Sequence, residues 1–322
     1  MISQNRRTFF KKVFCYGAMF SLLGVTSNIL FNNSSLKFIN KDFYLMGTKG
    51  KLQFFTNDLS YGEYLVEKTL NRIQNIELML TKFSPDSIIN KISRNIVSYN
   101  EVPTDVLRVL KLGVKISKMT NNYFDMGMGN LLYSAGIDNM IPIVGNVTTL
   151  KDMNINLLSI SGNKVRLNRK NTMLDLGGIG KGYAIDVAME MLIDSGIKHA
   201  IIEFGGDIRA YGGMPSGLPW KISFDNNISY ALNLKNEIYL KNGSIASSGG
   251  YLKRSKMKNC DIKHHIIDPK SLKTKDEYVL SLVKGEKATI CDALATSCYN
   301  MDNIDLAHVK KKFSNYEIKV YV

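Results

Sequence analysis

Leu174-Asp175-Leu176-Gly177-Gly178-Ile179-Gly180-Lys181-Gly182-Tyr183-Ala184-Ile185-Asp186 joins a short apolar run to a glycine cluster and then to an amphipathic run. Ala184, Ala188, Met191 and Leu192 recur at i, i+4, i+7 and i+8, the spacing of one helix face. Gly196 stands where such a helix ends. The reading is strand, glycine loop, helix. That unit presents bare backbone N–H groups and the positive end of a helix, which suits phosphate. Lys181 adds a cation inside the loop. Neither common phosphate loop fits. A P-loop needs Ser or Thr where Gly182 stands, and the spacing departs from G-x-G-x-x-G. A close-packed strand-to-helix turn without a ligand is the plainer alternative.

Around this unit the patterning alternates between periods of two and 3.6. Residues 44–55 read as strands about a Met46-Gly47-Thr48 turn. Residues 61–80 and 106–119 read as helices. Residues 163–167 and 173–176 look like a strand pair, and 200–204 like a buried strand ending at Gly205-Gly206-Asp207. Strands are predicted at 220–224 and 238–240, and a helix at 288–301. The fold class is α+β, a mixed β-sheet core flanked by helices.

Asn5-Arg6-Arg7-Thr8-Phe9-Phe10-Lys11 is a twin-arginine pattern, and a moderately apolar run follows to about Phe31. Residues 1–31 read as an export signal, with an uncleaved anchor as the alternative. Residues 32–42 read as a linker and 43–322 as one large domain. The domain is expected on the periplasmic side of a bacterial inner membrane. No later segment is long and apolar enough to span a bilayer.

The net charge of +14 is spread along the sequence without a cluster. It reads either as compositional bias or as attraction to anionic lipid or ligand. No basic patch interleaved with aromatics points to nucleic acid. Four cysteines make no framework. Cys15 lies in the export segment, and Cys291 and Cys298 share a predicted helix about 10 Å apart, too far to bridge. No Cys or His spacing suggests zinc.

Asp292 and Thr296, four apart, share one helix face. A carboxylate and a hydroxyl suit Mg²⁺, which takes few protein oxygens. Alternatively Asp292 caps a turn and Thr296 is a surface residue. His264-His265-Ile266-Ile267-Asp268-Pro269 places imidazoles beside an Asp-Pro turn, at a site edge or in a structural role. Residues 244–251 read as a strand entering a glycine turn, lining a pocket or closing a simple hairpin.

The order of these elements is more specific than any one of them. Met46-Gly47-Thr48, Phe83-Ser84-Pro85-Asp86-Ser87, Phe124-Asp125, the glycine loop, Gly205-Gly206-Asp207-Ile208-Arg209, Ser248-Gly249, His265-Ile266-Ile267-Asp268-Pro269 and Asp292-Ala293-Leu294-Ala295-Thr296 follow one another. This series resembles the ApbE family of FAD:protein FMN transferases, from about residue 43 to 301. The resemblance implies an ApbE-like, T-fold-like architecture. It implies Mg²⁺-dependent transfer of FMN from FAD to a Thr or Ser of a target protein, with AMP released. It also implies targets among subunits of membrane redox pumps, such as an NADH:quinone reductase or an Rnf-type complex. Hydrolysis of FAD to FMN and AMP, or FAD binding without turnover, are the competing activities.

By the same resemblance Gly178, Asp292 and Thr296 hold the metal. Met46, Phe83, Asp125, Asp175, Lys181 and Ile266 contact FAD, and Asp186 reaches its adenosine half. His265 acts as base, and Lys181 assists catalysis. The chain departs from the family's usual pattern at Gly250, where an Asp is frequent. It departs again at Lys270-Ser271-Leu272, where Arg-Thr-Gly is usual, so a different turn is expected after Pro269. Gly180 stands where Ala is frequent, and Met126-Gly127-Met128 is also atypical.

Overall fold

The computed structural model describes residues 20–22, 36–94, 102–137, 158–168, 172–224, 237–250, 262–275 and 277–322. In chain order these form β1 (Phe20–Leu22), β2 (Lys37–Leu45), β3 (Thr48–Thr56), α1 (Leu59–Leu80), α2 (Ile88–Ser93), α3 (Thr104–Met119), α4 (Gly129–Ser134), β4 (Leu158–Ser161), β5 (Lys164–Leu167), α5 (Gly180–Asp194), β6 (Ala200–Phe204), β7 (Asp207–Tyr211), β8 (Trp220–Phe224), β9 (Glu237–Leu240), β10 (Gly243–Ser248), β11 (Leu280–Gly285), α6 (Ala288–Cys298), α7 (Asn303–Lys312) and β12 (Glu317–Tyr321). The predicted α+β class is what the chain adopts. Two compact units result. Met1–Gln74, Lys181–Ser247 and Lys284–Cys291 make the first; Asn75–Gly180, Ser248–Val283 and Asp292–Val322 make the second.

In the first unit five strands lie in the order β10-β7-β6-β3-β2, each described pair antiparallel. β6 is buried at every position, so its run Ala200–Phe204, apolar except at Glu203, is covered on both faces. β2 and β3 pair without a break from Lys37↔Thr56 to Leu45↔Thr48, closed by Met46 and Gly47. Both have positive φ, +48° and +72°, as a two-residue hairpin turn matching the strand twist requires. Glycine takes that conformation freely. For Met46 it costs on the order of 1–2 kcal/mol. α1 packs on this hairpin through Gly62, where a Cβ would stand 2.9 Å from the side chains of Ile39 and Thr56. Residues 20–22, within the apolar run read as an export signal, pair as β1 with β8, and β8 pairs with β9.

The second unit gathers a core of Met128, Leu132, Ala135, Met173, Ile262 and Ile267. α3 turns Val106, Leu107, Val109, Leu110, Gly113 and Ile116 inward. Its periodicity starts two residues earlier than the sequence suggested.

Residues 173–176 are not a strand, contrary to the prediction. β5 pairs instead with β4 across Gly162-Asn163. The apolar run finds its hydrogen bonds elsewhere. Met173 N donates to Asn130 Oδ1 (2.9 Å), Leu174 N to Ser93 Oγ (3.0 Å) and Asp175 N to Met126 O (2.7 Å). Scattered partners of this kind leave no periodic trace in the sequence. The predicted helix at 288–301 stops at Cys298, after which Asn300 N and Met301 N bond three residues back, closing the end with tight turns. Cys291 and Cys298 are buried free thiols in α6, and burial pushes Cys298 up to about 12.

Candidate functional site

The glycine loop ends the second unit's share of the chain before α5 and is held by its own first carboxylate. Asp175 Oδ1 accepts from Gly177 N at 2.8 Å, and Oδ2 accepts from Lys82 Nζ at 2.9 Å. Both side chains of that ion pair are largely buried. Lys82 carries no motif signal, since its partner lies 93 residues away. Its neighbour Phe83 is 51 % exposed, with the Lys82 ammonium 5.4 Å from its ring centroid. Buried Asn90 clamps the Lys82–Ser84 segment by donating to both of those carbonyls, at 2.8 and 2.7 Å. Asp125 Oδ1 accepts from Gly127 N at 2.7 Å, a local turn that fixes the start of the Met126-Gly127-Met128 segment.

Gly178 lies hard against α6. A Cβ there would meet Thr296 Oγ1 at 2.9 Å, so only glycine lets the loop backbone approach this hydroxyl. Thr296 Oγ1 is 3.3 Å from Ser248 Oγ. Asp292, one turn earlier in α6, is buried. It sits inside the helix, so the alternative that it caps a turn fails. A carboxylate, two hydroxyls and a close glycine backbone are hard oxygen donors that fit Mg²⁺. Among the described residues no group of three His, Cys, Asp or Glu side chains gathers to hold a metal. A set with a single carboxylate is of a different kind.

The paired histidines divide their roles. His264 is buried, its Nε2 is 3.1 Å from Lys275 O, and its ring meets Tyr299 edge-on at 5.5 Å. It is structural. His265 is half-buried. Ile266 packs its side chain against Tyr278 and Tyr299, and its N–H donates to His264 Nδ1. Its expected contact with FAD therefore does not involve an open side chain.

Gly250 is explained by the same cluster. A Cβ there would stand 2.6 Å from both His264 Cδ2 and Tyr299 Oη. The aspartate frequent in the family has no room. Gly250→Ala is expected to cost roughly 1–3 kcal/mol by overpacking, measured by urea unfolding. An unchanged midpoint would mean that the rings move aside freely.

The turn after Pro269 is built on Asp268. Asp268 Oδ1 accepts from Lys270 N (3.0 Å) and Oδ2 from Ser271 Oγ (2.8 Å), and Leu272 takes φ +57°. That is the left-handed conformation a glycine adopts freely. The strain in Leu272 is offset by its packing on the Met128–Met173 core.

In the first unit Lys181 occupies the first turn of α5. A cation at the positive end of a helix is unfavourable by a few tenths of a kcal/mol or more. Buried Asp207 compensates, its Oδ2 2.8 Å from Lys181 Nζ. Gly205, at φ +61°, leaves room beside Thr48 and the Lys181 stem, 2.8 and 3.3 Å from where a Cβ would stand. Sequence reading placed Asp207 in a motif without giving it this partner.

Asp186, expected at the adenosine half of FAD, is committed to the protein. Oδ1 accepts from Arg209 Nη1 (2.6 Å) and Ala288 N (3.0 Å); Oδ2 accepts from Thr289 N (2.9 Å) and Thr289 Oγ1 (2.5 Å). It caps α6 and neutralises a buried guanidinium.

Glu203 was not foreseen. It is buried beside the glycine pair, and its Oε1 accepts from Gly206 N at 2.9 Å. Burial raises its carboxyl to about 7, against the opposing pull of Gly206 N–H and Lys51. The folded protein thus keeps a proton that the unfolded chain releases near pH 4.5. The contribution is full below that pH and is lost as pH climbs through about 7, by roughly 3 kcal/mol in all. Parent and Glu203→Gln should therefore diverge in melting temperature between pH 5 and pH 8, the parent falling more. Parallel curves would place Glu203 in water.

Comparison with known proteins settles the family. The family model described as "ApbE family" matches residues 46–320. The chain belongs to the ApbE family. An FAD:protein FMN transferase of Vibrio cholerae (strain O395) is 24 % identical over 261 residues, covering 78 % of each chain. One from Buchnera aphidicola subsp. Schizaphis graminum is 25 % identical over 267 residues, covering 79 % of this chain and 76 % of its own. Among solved structures, the ApbE protein of Thermotoga maritima superposes with TM-score 0.74 at 23 % identity, over 88 % of this chain and 94 % of that one. The flavin transferase ApbE of Vibrio cholerae gives 0.72 at 20 %, over 88 % and 97 %. These likenesses carry the ApbE fold, a large antiparallel sheet flanked by helices, to this chain.

Proposed function

We propose that this ApbE-family chain is an enzyme that transfers FMN from FAD to a Thr or Ser hydroxyl of a protein, releasing AMP. The observation that carries the reading is the approach of Gly178 to Thr296, one helical turn from Asp292. It is supported by the family match over residues 46–320. Gly178, Thr296 and Asp292 would hold Mg²⁺, with Ser248 fixing the Thr296 hydroxyl. Bound there, Mg²⁺ neutralises charge on the phosphoryl oxygens.

The protein's own groups do the rest. Lys181, poised by Asp207, is a cation for the diphosphate. By the family resemblance Met46, Phe83, Asp125 and Asp175 contact the flavin substrate. The acceptor oxygen bonds to the FMN phosphorus while the phosphorus–oxygen bond to AMP breaks, in line. His265 takes the hydroxyl proton as the general base. AMP keeps the bridging oxygen. The acceptor we infer is a subunit of a membrane redox pump of the NADH:quinone reductase or Rnf type. The twin-arginine pattern at Asn5–Lys11 supports action on the exported, periplasmic side of the inner membrane.

The test mixes the full chain with FAD, Mg²⁺ and an acceptor domain. A fluorescent acceptor band on a denaturing gel, lost with EDTA, is expected together with AMP. AMP without the band would point to hydrolysis. Neither signal from FAD-loaded protein would sink the enzyme reading.

A further inference from the structure

Charge that is scattered in the sequence is collected by the fold. On α3, Arg108, Lys111, Lys115 and Lys118 follow at intervals of three, four and three, and all are exposed. They form one stripe about 15 Å long on the solvent face. α7 ends in Lys310, Lys311 and Lys312, also exposed. The two elements touch, since Lys312 Nζ donates to Met119 O, the last residue of α3, at 3.2 Å. The sequence reading of an unclustered charge is thus corrected.

None of these seven side chains forms an ion pair with a described residue. The acids nearby are occupied. Asp302 caps α7 through Ile304 N and Asp305 N. Asp305 accepts from Lys270 (3.2 Å) and Asn121 (3.4 Å). Asp105, in the first turn of α3, lies one turn before Arg108 and has contacts of its own. Beside the cations stands Ile304, 83 % exposed, on the α7 face that also carries His308 and Lys311.

We infer that this α3–α7 face docks on an anionic phospholipid surface. Six of the seven cations are lysines, compact charges on flexible stems that suit diffuse headgroup charge better than the fixed fork of arginine. An exposed aliphatic side chain among basic residues is the pattern of a helix lying at a bilayer interface. Nothing aromatic stands among them to stack on bases, as single-stranded nucleic acid would require. The inference does not depend on the flavin chemistry. It concerns a surface of the second unit alone.

The experiment measures sedimentation of the full chain with phosphatidylcholine vesicles, with and without phosphatidylglycerol. Lys111→Glu/Lys115→Glu/Lys118→Glu is compared with Lys37→Glu/Lys41→Glu/Lys164→Glu, an equal charge change on exposed residues elsewhere. Both retain residues 1–31, so any membrane affinity of that segment cancels. The α3 variant is expected to lose at least about tenfold in partitioning to the anionic vesicles. The control should lose far less, and added salt should erase the difference. Circular dichroism checks that both fold. Equal losses would reduce the effect to net charge and overturn the proposal. So would absence of any preference for anionic vesicles. Unchanged vesicle binding with lost capture of an acidic acceptor protein would reassign the face to a protein partner.

Discussion

Asp292→Ala is expected to lower FMN transfer on the order of a thousandfold while leaving the chain folded. The carboxylate is buried in the second turn of α6, one helical turn from the Thr296 hydroxyl that Gly178 approaches closely. Removing it takes away the one anionic donor of the proposed site, and loss of charge stabilisation in phosphoryl transfer is worth several kcal/mol. Alanine is the best helix former, so α6 loses no propensity. Single-turnover AMP release measured across a Mg²⁺ titration would check it. A rate within tenfold of the parent at every Mg²⁺ concentration would remove Asp292 from the mechanism. Thr296→Val keeps the shape and removes the hydroxyl, and a smaller loss is expected there.

Asp186→Ala should be the most destabilising of the single changes considered, by about 3–5 kcal/mol. The substitution leaves the Arg209 guanidinium buried without its partner and strips the cap from Ala288, Thr289 and the Thr289 hydroxyl. Urea unfolding measures the loss. The double variant Asp186→Ala/Arg209→Leu should recover part of it, because the stranded charge is gone. Additive effects would mean that the pair is not coupled. Because Asp292 lies four residues beyond Thr289's neighbour Ala288, a frayed α6 is also expected to raise the Mg²⁺ requirement.

The sequence showed what periodicity and order can carry. The Met46-Gly47 hairpin, the buried β6, α3, α5 and the Asp292–Thr296 spacing were legible because each depends on neighbours within a few residues. Residues 173–176 were misread because their hydrogen bonds go to Ser93, Met126 and Asn130 rather than to a ladder. Lys82, Glu203 and the Asp207 partnership were missed for the same reason: each is defined by a residue distant in sequence or by burial. Asp186 was assigned to a ligand by the resemblance to the ApbE family. Its four protein contacts appear only when β7 and α6 are placed.

The contact of Gly250 with His264 and Tyr299 ties three positions into one unit of inheritance. An acidic side chain at position 250 cannot arrive by a single substitution here without displacing two rings. Smaller residues at 264 or 299 would have to come first, at the expense of packing in the meantime. A lineage carrying glycine at this point is therefore held there by its surroundings. Restoring the common residue by direct mutation is a poor route to recovering whatever that residue does elsewhere.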